Sequence, residues 1–536
     1  MNLQMFDTRL RQIRNELILL GLLLVLLCAT LYHRTSLYSK IDTRHFYLTD
    51  SFNTPVVRIW DTGIAKREAV AVLVHGFQCN KSMMVQLGKF LAAQGLDVYA
   101  IDLPGHGESS VSFTFERCYE ATRLALSEII RLSGTEEKHV ILIGHSFGAM
   151  VLGPVALERP NIAASIYIGP GEVKNLKLDT PRNVMIITAE HDKDFIKKCA
   201  QIEFNELTGQ HESRPGKNLH GDLTLGTARS WQEIPKTDHV GLINNDATYR
   251  LIRRWTEQAL QTIIEPRPFS DKPSKQIFIS VLMLALCAVL ASLTSKILPA
   301  STVEDRPLFA NRLRPFVVFL YAIVCGVALM RFVTPLGFLH LKEGELGFLH
   351  LKEGEVLASL LFSVGLLSLV FDMILERKIM IPGLRTNLWD ALVAITVFFF
   401  LYSCLVISVD REFYSLKFSF FHTGRILAFA VIAICLFPLF LMAERLLRYV
   451  QGSFRRLFYG MTASLMVAAA LYAAFILGCV MVNPGFSRFT ETFLAVIGYC
   501  ALIGAVFYRN RSSIVSGAMF TSFVVAWVVA VSFIYY

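Results

Sequence analysis

Charge is scarce in this chain. Asp, Glu, Lys and Arg make up 18% of its 536 residues, while hydrophobic residues make up 54%. That imbalance excludes a fully water-soluble protein: much of the chain belongs in lipid. The formal net charge is +9, yet the basic residues do not form one patch. Many lie in short loops beside apolar segments, which reports membrane topology and speaks against nucleic-acid binding. Cysteine is of little structural use. Seven of the ten cysteines fall in apolar segments, where a free thiol is a small hydrophobe. The other three, Cys79, Cys118 and Cys199, are too scattered for a disulfide framework and lack metal-ligand spacing. One disulfide among them stays open, with free thiols the simpler expectation. No cofactor and no metal is expected.

What the chain has in abundance is apolar runs. Nine segments read as spans, and the last eight are each about long enough to cross a bilayer core of roughly 30 Å. The first, residues 17–32, follows Arg9, Arg11 and Arg14. It resembles a secretory signal. The next residues, His33-Arg34-Thr35-Ser36-Leu37, offer no small-x-small cleavage site, so an uncleaved signal anchor is expected. The other eight lie near 277–295, 315–333, 356–375, 389–409, 426–443, 459–482, 490–508 and 513–535. The loops at 296–314, 376–388, 444–458 and 509–512 are rich in Lys and Arg and alternate along the chain, so they share one side. Together with the N-terminal arginines they put residues 1–16 in the cytoplasm. Residues 33–262 then lie on the non-cytoplasmic face, periplasmic, extracellular or lumenal. No ionisable residue stands at mid-span, since Asp372, Asp390 and Glu444 lie near segment ends. That weighs against transport and for an anchor or a lipid-facing platform.

Three regions follow from this pattern: a domain at 33–262, a linker at 263–276 carrying Pro266, Pro268 and Pro273, and an all-α membrane domain of about eight transmembrane helices at 277–536. One repeat falls in the last. Gly337 to Glu345 recurs unchanged as Gly347 to Glu355. Two copies are too few for a solenoid. His340 and His350 with their glutamates invite a metal, but a tandem duplication without chemical consequence is the better account.

Residues 45–262 alternate between strand and helix patterns. Strands are expected at 45–50, 55–60, 69–75, 97–102, 140–145, 163–168, 183–189 and 229–234. Helices are expected near 81–94, 115–132, 147–158, 194–206 and 245–263. Such alternation implies a mostly parallel sheet with helices on both faces. One strand, Val140 to Ile143, runs into Gly144-His145-Ser146-Phe147-Gly148. A serine at a strand-to-helix turn between two glycines is held exposed at the top of the sheet. Around it stand Val72-Leu73-Val74-His75-Gly76-Phe77, then Asp102-Leu103-Pro104-Gly105-His106-Gly107-Glu108-Ser109, and after it Asp192 and His239.

These segments resemble the α/β-hydrolase superfamily, in particular its monoacylglycerol-lipase and serine-aminopeptidase branch. The resemblance covers residues 45–262, about two fifths of the chain. It implies a Ser-His-Asp triad. Ser146 is the nucleophile, which needs a base to take its proton. His239, in a polar turn after the last strand, is that base. Asp192 orients it, although Ala189 stands where the family has glycine, and Glu190 and Asp194 are rival acids. The resemblance places the oxyanion donors at the backbone N–H groups of Phe77 and Phe147. Both phenylalanine side chains are open to an acyl-pocket role or to plain core packing. Cys79, near the oxyanion loop, is a bystander or a reactive thiol.

About a dozen residues separate the strand after the nucleophile from the strand bearing the acid, too few for a helical cap. The pocket should therefore be open, with 208–228 available as a short flap. The expected function is a membrane-bound serine hydrolase of an ester or thioester, acting on a lipid or acyl ester at the bilayer surface. An acyltransferase with the same triad is the alternative, and a non-catalytic scaffold the last. No protein partner can be named.

Overall fold

The computed structural model describes residues 3–37, 40–64, 69–216, 219–261, 273–297, 384–409, 423–452, 490–511 and 514–532. The chain divides into two compact units. One runs from Arg34 to Asp271. The other takes in most of the N-terminal helix α1 (Leu3–Leu37) and the helices beyond Lys272.

The first unit is built on eight strands: β1 (Ile41–Tyr47), β2 (Pro55–Asp61), β3 (Val70–Val74), β4 (Asp97–Ile101), β5 (Val140–His145), β6 (Ala164–Ile168), β7 (Val184–Ala189) and β8 (Arg229–Ile234). They form one sheet in the order β1-β2-β4-β3-β5-β6-β7-β8. β1 and β2 are antiparallel, as are β2 and β4; from β4 to β8 all neighbours are parallel. β3 to β7 are buried at every position. Their unbroken apolar runs are what a parallel strand covered on both faces requires.

Successive residues of each strand feed opposite layers. Val72, Leu142, Tyr167 and Ile186 pack under helices α3 (Phe115–Ser133), α4 (Phe147–Leu157) and α5 (Asp194–Thr208). Leu73, Ile143, Ile166 and Ile187 pack under α2 (Val85–Ala93) and α6 (Asp246–Ala259). The helices start and stop where local chemistry dictates. Thr114 accepts a hydrogen bond from Arg117 N at the start of α3, and Gly134 closes it at φ 65.

Every strand after the first begins and ends within a residue of its expected place. β1 lies about four residues early because Asp50 turns the chain. Its Oδ1 accepts from the N–H groups of Phe52 (3.1 Å) and Thr54 (3.0 Å), which ends the strand at Tyr47. The connection from β6 to β7 holds no helix and no cap. The expected flap at 208–228 is different from its description. Gly216 N and His220 N donate to Trp231 O (2.9 Å) and Arg229 O (3.0 Å), so this segment covers the outer edge of β8. An open strand edge needs such partners.

The second unit is helical. After α1 come α7 (Pro273–Ile297), α8 (Leu384–Val409), α9 (Thr423–Gly452), α10 (Thr490–Arg511) and α11 (Val515–Ser532). Five of the eight expected apolar segments fall on these helices. Those at 315–333, 356–375 and 459–482, the repeat at 337–355 and residues 263–272 of the linker lie outside the described residues. Pro273, expected in the linker, opens α7, a position where its missing N–H costs nothing.

Among the described residues one helical stretch, Ile13–Thr30, is long and apolar enough to cross a membrane by length and composition. Val281–Ile297, Leu388–Ser403, Ile426–Leu441 and Val515–Ala530 are apolar but shorter. Asp390 and Glu444 are buried, at 0% and 3% exposure. Ser516 Oγ donates to Asp390 Oδ1 (3.1 Å), and Gly517 lies so close to the Glu444 carboxylate that a Cβ there would sit 2.8 Å from its carbon. The two acids thus meet the N-terminal turn of α11, where backbone N–H groups favour negative charge.

In the first unit a buried ion network ties the loop after β3 to the loop after β4. Lys81 Nζ pairs with Asp102 Oδ2 and, at 2.7 Å, with Glu108 Oε2. Asp102 also accepts from Lys81 N (2.6 Å) and Glu108 N (2.9 Å). Burial alone would push the Lys81 ammonium down; the two carboxylates outweigh it and hold the group above the ordinary lysine value. Removing one partner of such a network leaves an uncompensated buried charge. Lys81→Met should therefore lower stability by about 3–5 kcal/mol. Lys138→Met, whose pair with Glu136 stands in solvent, should leave the unfolding curve in place. Chemical unfolding of the detergent-solubilised protein measures both.

Candidate active site

The order of the sheet reverses at β3, which has β4 on one side and β5 on the other. A crevice at the carboxyl ends of two such strands is where ligands bind in open α/β sheets. Ser146 stands there, between β5 and α4. Its φ of 52° and ψ of −115° fall outside the regions open to side-chain-bearing residues. The surroundings impose this. Ser146 N donates to Ile168 O (2.8 Å), and Ala149 N donates to Ser146 O (3.0 Å). The flanking glycines allow it. A Cβ on Gly148 would stand 2.3 Å from Val74 O, and one on Gly144 2.6 Å from Ala149 N. Backbone meets backbone at both places, so neither glycine can be replaced without moving the turn.

Asp192 and His239, the candidate acid and base, stand on the β7–β8 side. Asp192 Oδ1 lies 2.7 Å from His239 Nδ1. Asp192 Oδ2 accepts from Ala189 N (2.7 Å), which fixes the carboxylate inside its own turn. The rival Glu190 is engaged elsewhere, accepting from Lys236 N (2.7 Å). Asp194 lies in the first turn of α5. Of the three acids, His239 is bonded to Asp192. No hydrogen bond joins the Ser146 hydroxyl to His239; such bonds commonly tighten only when substrate is bound.

His145 ties the two halves together. Its Nε2 lies 3.1 Å from His239 O, and the two ring centroids are 4.9 Å apart. Facing a carbonyl, Nε2 must carry the proton and donate it. The Nδ1 lone pair is buried without a partner. It faces Gly76, where a Cβ would come within 2.8 Å of it. Burial, helped by the neighbouring His239, lowers the His145 pKa to about 3. His75 is similar. Its Nδ1 donates to Gly76 O (2.8 Å), Nε2 accepts from Leu103 N (3.1 Å), and burial lowers its pKa to about 4.

Phe77 and Phe147 flank Ser146. Phe147 is the first residue of α4, so its N–H has no acceptor within the helix. Gly76 brings the Phe77 loop close to Ser146: a Cβ on Gly76 would lie 3.3 Å from Ser146 Cβ. The two phenylalanine rings meet edge to face at 5.6 Å. Cys79 is pushed up to about 12 by burial, which leaves it an inert thiol at neutral pH. No cluster of metal ligands occurs among the described residues. The sequence reading missed the buried Lys81, the bridging role of His145 and the ring of Phe113. A lysine in a loop and a phenylalanine 33 residues before Ser146 carry no signal of their own.

Both neutral histidines make stability depend on acid. Their folded pKa values lie below the ordinary 6.5, so between those limits the unfolded chain binds more protons than the folded one. Stability is then full above about pH 6.5 and falls as the pH drops toward 4. The melting temperature should fall over that window, and His145→Gln, which keeps a donor for His239 O, should flatten the decline. Gly148→Ala should cost about 1–3 kcal/mol by overpacking and disturb the turn at Ser146. Melting curves across pH and chemical unfolding test these two expectations.

Known proteins extend this description. Residues 71–267 match the model of the alpha/beta hydrolase family. Monoacylglycerol lipase abhd6-A of Xenopus laevis is 26% identical over 155 residues, covering 26% of this chain and 45% of the lipase. The uncharacterized hydrolase YugF of Bacillus subtilis is 31% identical over 97 residues, covering 18% of this chain and 34% of YugF. The matched stretch thus spans less than half of either relative. The esterase Pf2001 of Pyrococcus furiosus aligns over 41% of this chain and 90% of its own, at 12% identity and a TM-score of 0.32. The eight-stranded unit has the alpha/beta hydrolase fold, and its residues from 71 onward are those that match the family model.

Proposed function

We propose that this protein is a membrane-anchored serine hydrolase that cleaves an ester or thioester presented at a bilayer. The observation that carries this reading is the 2.7 Å bond from Asp192 to His239 beside a strained Ser146. Ser146 attacks the carbonyl carbon while His239 Nε2 takes the hydroxyl proton. Asp192 holds His239 by Nδ1, so that Nε2 faces the reaction and the imidazolium is stabilised. The N–H groups of Phe77 and Phe147 receive the oxyanion. His239 returns the proton to the leaving group, and water, activated by the same histidine, releases the acyl group. The His239 side chain is 27% exposed and no cap separates β6 from β7. That access favours water over a dedicated acceptor, and so hydrolysis over acyl transfer.

The membrane assignment rests on composition. Ile18, Leu22 and Val25 of α1 are more than half exposed, which suits a helix facing lipid. The apolar segments beyond residue 277 complete a polytopic anchor, and the Lys- and Arg-rich loops put the hydrolase domain on the non-cytoplasmic face. The substrate is accordingly a lipid or an acylated membrane component.

Ser146→Ala and His239→Ala should each lower ester turnover by about 10⁴-fold or more with little change in melting temperature. Asp192→Asn should cost far more than Glu190→Gln or Asp194→Asn. Retention of a tenth of wild-type activity by Ser146→Ala would refute the nucleophile. Topology is checked by single-cysteine labelling with a membrane-impermeant reagent in a background free of native cysteines. Glu136→Cys, at an exposed site of the hydrolase domain, should react in intact cells. Ser453→Cys should react only after permeabilisation. The reverse pattern would place the active site in the cytoplasm.

A further inference from the structure

Four rings close on one another beside Ser146. Phe77, His106, Phe113 and Phe147 are all mutual neighbours, with centroids 5.6 to 6.4 Å apart. Phe115 adds a fifth ring, 6.1 Å from Phe147 and itself 38% exposed. A cluster made only for packing would be sealed, yet Phe77 and Phe113 are only partly buried. Two of the rings belong to the residues whose N–H groups flank Ser146. His106 and Phe113 ride on the segment between β4 and α3, and Phe115 opens α3.

The sheet order fixes what lies on either side of the nucleophile. Ser146 follows β5. His239 and Asp192 follow β8 and β7, on one side; Phe77 and the 103–114 loop follow β3 and β4, on the other. In an acyl transfer the leaving group must take its proton from His239, so it departs on the β7–β8 side. The acyl substituent is left with the opposite side, where the rings stand. There the surface is apolar and already filled. On the leaving-group side no cap intervenes, and the exposed side chains of Val240 and Phe195, 57% and 64% exposed, border His239 and Asp192 in sequence.

We infer that this ring cluster is the acyl-binding wall of the proposed hydrolase and that Phe113, a specificity-determining residue, limits the acyl group to a short one. This rests on the assignment of Ser146 as nucleophile. It narrows the substrate class to short-chain acyl esters of a large, apolar alcohol or thiol. In the reaction the C–O or C–S bond to that group breaks as the Ser146 ester forms. Water then breaks the Ser146 ester, giving a short carboxylic acid and restoring the hydroxyl.

The test uses the full chain in detergent, with p-nitrophenyl acetate, butyrate, octanoate and decanoate and a fluorophosphonate probe for Ser146. Wild-type protein should take the probe and prefer acetate or butyrate. Phe113→Ala should still take the probe and raise the octanoate-to-acetate ratio of kcat/KM by about tenfold or more, the scale on which an apolar pocket discriminates chain length. Phe113→Leu, which keeps most of the packing, should move the ratio the same way by less. Phe113→Trp should move it the other way. Probe-reactive variants with the wild-type profile, or Ala and Trp shifts of the same sign, overturn this inference alone. A wild-type protein that takes no probe and cleaves no ester overturns the proposed function and this inference with it.

Discussion

Everything at the candidate site depends on three stretches of backbone that meet without side chains between them. The end of β3, the turn at Ser146 and the first turn of α4 approach so closely that Gly144 and Gly148 have no room for a Cβ. Ser146 pays for this approach with a backbone conformation that its side chain disfavours, and hydrogen bonds through its own N–H and C=O hold it there. The result is a hydroxyl raised above the sheet and a free helix N–H next to it. Gly76 extends the same constraint to the β3 side, where His145 and Ser146 fill the space a side chain would need. A larger residue at any of these positions would separate the loop after β3 from Ser146.

The sheet then sorts the remaining functions by side. Parallel strands deliver all their carboxyl ends to one edge, so loops far apart in sequence become neighbours there. Asp192 and His239 are 47 residues apart, yet they arrive together because β7 and β8 are adjacent. Phe77 and Phe113 arrive together because β3 and β4 are. His145 links the two groups. It precedes Ser146 at the end of β5, faces Gly76 on one side and donates to the backbone of His239 on the other. Burial lowers its pKa to about 3, which keeps it neutral around neutral pH.

How much of this was legible in the sequence varied with the kind of signal. Strands β3 to β7 were legible because burial on both faces demands unbroken apolar runs. The placement of Ser146, Asp192 and His239 after β5, β7 and β8 was legible because the strands themselves were. Asp192 was separable from Glu190 only by that position; the structure adds that Glu190 is held by Lys236 N. The edges were less legible. β1 is half solvent-exposed, so its bounds come from the Asp50 turn, not from hydropathy. Residues 208–228 look like a polar flap because the backbone bonds that hold them to β8 leave no trace in side-chain type. Lys81 is the clearest failure. A lysine is expected in water, and only the convergence of Asp102 and Glu108 from another loop makes its burial tolerable.

The helical unit shows the same limit on a different scale. Hydropathy along a segment reports what one helix would prefer alone. It placed Asp390 and Glu444 near segment ends, where water is the natural partner. Both are instead buried beside the first turn of α11, one through Ser516 and the other against Gly517. Two carboxylates from two helices therefore meet the positive end of a third. Each would be costly in an apolar bundle by itself. Together with α11 they form a polar contact that specifies which helices are neighbours, something that uniformly apolar surfaces of α8, α9 and α11 could not do.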